Sequence, residues 1–158
     1  MTRFLQDILR QPEELCRVVD HLNGAGRKSL ELAVDAIRGA SHVYLTGIGA
    51  SWNAALNAGS LFHLGGLPVF MLDAAELLQV NRIPAGSAIL TLSRSGRSVE
   101  IVKLLSKARE AGATVIGITS FEDGLLAREA GIPVVIPVNS DHGISVGTYS
   151  ALALTAAA

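Results

Sequence analysis

Residues 87–111 read SAILTLSRSGRSVEIVKLLSKAREA, and their reading decides the fold. Ser87–Leu92 is a short apolar run of strand length. Ser93–Ser98 is a polar loop, and from Ser98 to Ala111 a helical pattern follows with Glu100 in its first turn. A strand passing through a short loop into a helix is half of a parallel βα unit. Working outward, the same rhythm returns on both sides. Strand-type runs occur at His42–Thr46, Pro68–Leu72, Thr114–Ile118 and Pro133–Pro137. Helical patterns fill Ser51–Leu64, Asp73–Gln79 and Gly124–Glu129, and a last helix begins near Val146. Runs that are apolar throughout, rather than alternating, belong to a parallel sheet covered on both faces. The expected fold is therefore α/β, a three-layer αβα sandwich on a five-stranded parallel sheet in flavodoxin-like order 2-1-3-4-5. Its crossovers should be right-handed, and its ligands should sit at the carboxyl ends of the strands.

Helices are expected before the sheet. Leu5, Ile8 and Leu9 have helical spacing, and after Gln11 and Pro12 the pattern resumes at Leu15, Cys16, Val19 and Leu22. Pro12 suits the first position of a second helix. Leu30, Ala33, Val34 and Ile37 mark a third, ending near Gly39. Residues 1–40 thus form a helical leader. Cys16, the single cysteine, permits no internal disulfide and fits a reducing compartment. Between Leu15 and Val19 on an apolar face, it reads as core packing.

Apolar residues make up 49% of the 158 residues and charged residues 17%, which predicts that much of the surface is covered by a partner. The formal net charge of -1, without a basic stripe, argues against nucleic acid. No apolar run is long enough to span a bilayer, and Arg3, Gln6 and Asp7 interrupt any secretory signal, so a cytoplasmic protein is expected. The Ala/Leu-rich helix running to Ala158 has no glycine, asparagine or cationic last turn to meet its final carbonyls, which reads as part of a longer protein.

Three loops follow strands and are rich in small polar residues. Gly47-Ile48-Gly49-Ala50-Ser51 leads into a helix whose free amides favour an anion. Ser51 there either caps the helix or offers its hydroxyl to a ligand. In Ser93-Arg94-Ser95-Gly96-Arg97-Ser98, three hydroxyls, a glycine and several amides converge, as a phosphate dianion requires. A serine N-cap would explain Ser98 but not Ser93 and Ser95. Arg94 and Arg97 either add charge or point to solvent. The third loop, residues 139–148, again runs from a strand into a helix, is rich in small polar groups and is expected to complete the ligand site. His142 within it and Glu76, at a helix start, are candidate acid/base groups. Ordinary alternatives for them are backbone hydrogen bonding and dipole complementation. His21, His42 and His63 lack metal-ligand spacing, so neither metal nor cofactor is assigned.

The segments FLQDILRQPEEL, GIGASWNAA, LSRSGRSVEIV, LLAREAG and ISVGTYSALAL together resemble the SIS (sugar isomerase) family. The likeness is to the first of two tandem halves, as in the isomerase part of glucosamine-6-phosphate synthase and the amino-sugar or fructosamine-phosphate deglycases. It covers nearly the whole chain and marks residues 41–158 as the SIS domain. It implies phosphate contacts from Ser93, Ser95, Ser98 and the Arg94 amide, and sugar contacts from Gly49, Ser51, Val146 and Thr148. The implied ligand is a hexose or amino-hexose 6-phosphate, and an apolar chain lacking its second half is expected to pair with another copy through the helices flanking the sheet, as a homodimer or higher oligomer. Arg94 stands where the pattern has glutamine, Arg97 where it has an acid, Ala50 where it has threonine, and Gly143 where glutamate is common. In tandem members the acid/base groups come from the second half or a neighbouring subunit.

Three functions are then in view. One is the binding half of a phosphosugar isomerase or deglycase; isomerisation moves a proton between C1 and C2 and needs a base and an acid. Another is a non-catalytic sugar-phosphate sensor or interaction module. The last, a dinucleotide-binding domain, is disfavoured, because Trp52 replaces the third glycine of the fingerprint and Asp73 lies too far on.

Overall fold

The computed structural model describes residues 1–138 and 146–158, the side chains of 146–148 excepted. Its elements in chain order are α1 (Arg3–Asn23), α2 (Arg27–Gly39), β1 (Val43–Thr46), α3 (Ala50–Leu64), β2 (Phe70–Met71), α4 (Ala74–Gln79), β3 (Ala88–Leu92), α5 (Val99–Ala111), β4 (Thr114–Thr119), α6 (Leu125–Glu129), β5 (Ile132–Val135) and α7 (Val146–Ala157). All strand pairs are parallel, and the order is β2-β1-β3-β4-β5. That is the α/β sandwich expected from the alternation of runs.

β1 and β3 are buried along their whole length because helices cover both faces. Leu45, Leu90, Leu92, Ile116 and Ile118 pack against α1, α2, α3 and α7. Tyr44, Ile89 and Val115 point the other way, onto α4, α5 and α6. Successive side chains in a strand alternate faces, so one continuous apolar run feeds two cores. Leu92 is fully buried, and cutting such a leucine to alanine costs about 2–5 kcal/mol. Among the described residues no helix is long and apolar enough to cross a membrane.

The leader departs from expectation in two ways. First, Arg3–Asn23 is one helix with Pro12 inside it, not two. Proline removes the N–H that would bond the carbonyl four residues earlier. Here the Gln11 side-chain amide donates to that Ile8 carbonyl at 3.2 Å, replacing the missing bond. Second, Cys16 is exposed rather than in the core. The face of α1 turned inward carries Asp7, Glu14, Val18 and Leu22. Arg17 grips the Glu14 carboxylate at 3.1 and 3.2 Å, and Ser150 of α7 donates to Gln11 at 2.7 Å. A polar stripe therefore meets α7, while Phe4, Leu5, Leu9 and Val19 face outward.

Candidate functional site: a serine cleft at the carboxyl edge of the sheet

β1 and β3 lie side by side, and their connections leave in opposite directions, one to β2 and the other to β4. A crevice opens where the chain diverges in this way. α3 begins on one face of the sheet and α5 on the other, so two helix N-termini converge there.

The first loop turns tightly. A Cβ on Gly47 would lie 2.8 Å from the Ser51 carbonyl oxygen, which only glycine avoids. Gly49 caps α3 with φ 58° and without any side-chain bond. Ser51 is thus the second residue of the helix, not its cap, and its half-buried hydroxyl is free to face the cleft.

The second loop is held by its own serines. Ser93 Oγ accepts from the Gly96 amide at 3.1 Å, and Ser95 Oγ accepts from the Arg97 amide at 3.3 Å. A hydroxyl that accepts from an amide still has its proton to donate. Ser98 occupies the N-cap of α5 but makes no capping bond, so its hydroxyl too is uncommitted. Gly96 has φ 63°, and a Cβ there would meet the Leu126 Cβ at 2.9 Å.

Neighbouring elements fix this loop. The Ser93 amide donates to Ile118 at 3.0 Å, and Arg94 O accepts from the Ser120 amide at 3.1 Å. Thr119 Oγ1 also donates to Arg94 O at 2.9 Å, and the Leu126 amide donates to Gly96 O at 3.1 Å. Arg94 stacks over Phe121, its guanidinium carbon 5.9 Å from the ring centroid.

A cavity of about 170 Å³ results, lined by Ile48, Ala50, Ser51, Ser93, Arg94, Ser95, Ser98, Tyr149 and Leu152. Its described lining contains one cation and no carboxylate. With two helix N-termini at its rim, it is an anion-attracting hollow.

The predicted phosphate residues Ser93, Arg94, Ser95 and Ser98 therefore come together, joined by Ser51 from the other loop. Arg97 does not join them; its guanidinium pairs with Asp123 at the surface. Gly49 lies at the cleft's edge in the first loop. Val146 and Thr148 stand in the first turn of α7, their side chains outside the described residues, and His142 lies outside them altogether. Glu76 is not part of the cleft. It closes a capping box on α4, donated to by the Asp73 amide at 3.2 Å, while its own amide donates to Asp73 at 2.8 Å.

Sequence reasoning missed Tyr149 and Leu152. The available signal was spacing, since Tyr149 lies three residues after Val146 and so on the same helix face. Two buried hydroxyls at the carboxyl ends of strands, Thr46 and Ser120, were also missed; neither has a partner among the described residues. A second hollow of about 220 Å³ lies between α2, α7 and the sheet, but its lining is mostly apolar, with Arg38 and Thr155 its polar side chains and the Thr155 hydroxyl donating to Ala151 O within α7. It is a packing feature, not the chemical site.

Comparison with known proteins bears on the family and the fold. A family model described as the SIS domain matches residues 36–158. The glutamine–fructose-6-phosphate aminotransferase of Pyrobaculum aerophilum is 24% identical over 157 residues, covering 98% of this chain and 26% of its own length. The HTH-type transcriptional regulator HexR of Escherichia coli is 31% identical over 144 residues, covering 89% of this chain and 50% of its own. The chain thus spans half or less of the length of these relatives. Among solved structures, the C-terminal domain of glucosamine-fructose-6-phosphate aminotransferase from Francisella tularensis superposes with a TM-score of 0.86 at 21% identity, covering 99% of this chain and 45% of that one.

Proposed function

The chain belongs to the SIS domain family, and from that membership we propose that its serine cleft binds the phosphate of a hexose or amino-hexose 6-phosphate. One observation carries the reading. Three hydroxyls of a single loop, each with a proton to donate, line one cavity at a helix N-terminus beside Arg94. Charge-assisted bonds to phosphate are about twice as strong as neutral ones. Ser93, Ser95, Ser98 and the Arg94 amide take the phosphate in this reading, and Gly49, Ser51, Val146 and Thr148 take the sugar.

The broader role is that of the phosphosugar-binding part of an isomerase or deglycase. Residues 41–158 are the SIS domain, and residues 1–40 a leader whose α1 packs on α7 and whose α2 packs at β5. The cleft binds, orients and neutralises charge. The groups that move a proton between C1 and C2 come from outside its described lining, which holds no histidine, carboxylate or lysine. The outward apolar side chains of α1, with Leu9 61% exposed, support a homo-oligomer. Exposed, unpaired Cys16 accords with a cytoplasmic setting.

A second reading, a sugar-phosphate sensor, is favoured by the likeness to a transcriptional regulator. One experiment tests the cleft that both readings share. Calorimetric titration with glucosamine 6-phosphate, fructose 6-phosphate and inorganic phosphate is run beside mass analysis for turnover. Binding without turnover is the expected result and supports the cleft, whereas turnover by this chain alone contradicts the sensor reading. Absence of binding to all three compounds contradicts both.

A further inference from the structure

The cleft's lining is chemically mixed: Ser51, Ser93, Ser95, Ser98 and Arg94 are polar, while Ile48, Leu152 and the ring of Tyr149 are apolar, the last two brought in by α7. Tyr149 is the one aromatic residue among the described lining, and it is anchored. The Asn57 side-chain amide on α3 donates to its hydroxyl, joining α3 to α7. Asn57 is exposed and has no other part in the cleft. Tyr149 is half-buried and packs against the core on its face of the sheet. With its hydroxyl pinned on α3, the ring is held as a wall.

Resting on the phosphosugar reading, we infer that Tyr149 is the specificity-determining residue for the carbon skeleton of the ligand, with Asn57 as its positioning residue. In that reading the serine loop takes the phosphate, so a ring brought to the same cleft by α7 is placed to meet what the phosphate is attached to. Ligand pockets pair a broad apolar or aromatic surface with a few placed polar groups in this way. A rigid ring gives contact area at low entropic cost, because it has only two side-chain torsions to fix. The arrangement separates two recognitions that the serine loop alone cannot: phosphate from phosphate ester, and one sugar from another.

The test compares fructose 6-phosphate with inorganic phosphate by calorimetry on the whole chain. The variants are Tyr149→Ala, Tyr149→Phe and Asn57→Ala, with thermal unfolding as a fold check. Tyr149→Ala is expected to weaken the sugar phosphate about tenfold while leaving inorganic phosphate within about twofold. Tyr149→Phe and Asn57→Ala should each produce a smaller loss of the same selectivity, and the double variant should be no worse than either alone. If the two ligands weaken equally, Tyr149 only shapes the serine loop and the inference is overturned. Unchanged selectivity in Tyr149→Ala, or in Tyr149→Phe should the alanine variant not fold, overturns it as well. Failure of the wild-type chain to bind either ligand removes the phosphosugar reading itself, and the inference with it.

Discussion

The Thr119 hydroxyl donates to the Arg94 carbonyl at 2.9 Å, tying the end of β4 to the middle of the serine loop. The loop's shape is thus imposed from a neighbouring strand as well as by its own turns. Replacing Thr119 with valine keeps the volume and removes the donor. Arg94 O retains the Ser120 amide at 3.1 Å, so the cost is expected near 1 kcal/mol, at the low end for a buried bond. Urea denaturation measures it. Phosphosugar affinity should weaken in the same variant, and unchanged affinity would show that the brace is irrelevant to the cleft.

Ser98 separates a cap from a ligand. An ordinary serine N-cap replaced by alanine loses about 0.5–2 kcal/mol of stability. Ser98 makes no capping bond, so Ser98→Ala should shift stability by less than about 0.5 kcal/mol. Its phosphosugar affinity should fall about tenfold or more, the worth of a hydrogen bond to a charged group. A destabilised variant with intact affinity would assign Ser98 to the helix instead.

Gly96 is where the backbone permits no side chain. Its φ of 63° and the 2.9 Å approach to Leu126 both oppose a Cβ. Gly96→Ala is expected to lose about 1–3 kcal/mol of stability by thermal unfolding. It should also lose phosphosugar binding, because the loop must move to relieve the contact.

The two arginines of the loop should behave differently. Arg97 is paired with Asp123 at the surface, where ion pairs are worth about 0–1 kcal/mol. Arg97→Ala should leave both stability and affinity nearly unchanged. Arg94 lines the cavity, and Arg94→Ala should weaken binding, with a smaller loss at high salt because the added ions already screen the lost charge. Equal effects of the two substitutions would contradict the placement of either.

Much of the fold was legible because burial on both faces leaves continuous apolar runs, as in Ala88–Leu92, and helices leave a different period. The leader was less so. The pattern at Leu5, Leu9, Cys16 and Val19 shows that α1 has an apolar face, but not which neighbour lies on which side. Its polar face turns inward because Gln11 and Glu14 find partners, Ser150 in α7 and Arg17 a turn away. Pro12 misled for a similar reason: its lost backbone bond is replaced by the Gln11 side chain, a compensation spacing does not reveal.

In the site, the serine loop could be read from composition because three hydroxyls and a glycine in six residues exceed what a cap needs. Tyr149 could not. Its place in the cleft depends on α7 returning across α3, a tertiary relationship absent from local pattern. Glu76 illustrates the converse, since a carboxylate three residues after Asp73 already matches a capping box, which is what it forms.

The most direct test of the central claim compares the wild-type chain with the Ser93→Ala/Ser95→Ala variant, titrated calorimetrically with fructose 6-phosphate. The wild type is expected to give saturable binding, and the variant an affinity lower by about a hundredfold or more, since two hydrogen bonds to a charged group are removed. Equal affinity in the two proteins would show that the serine cleft does not hold the phosphate.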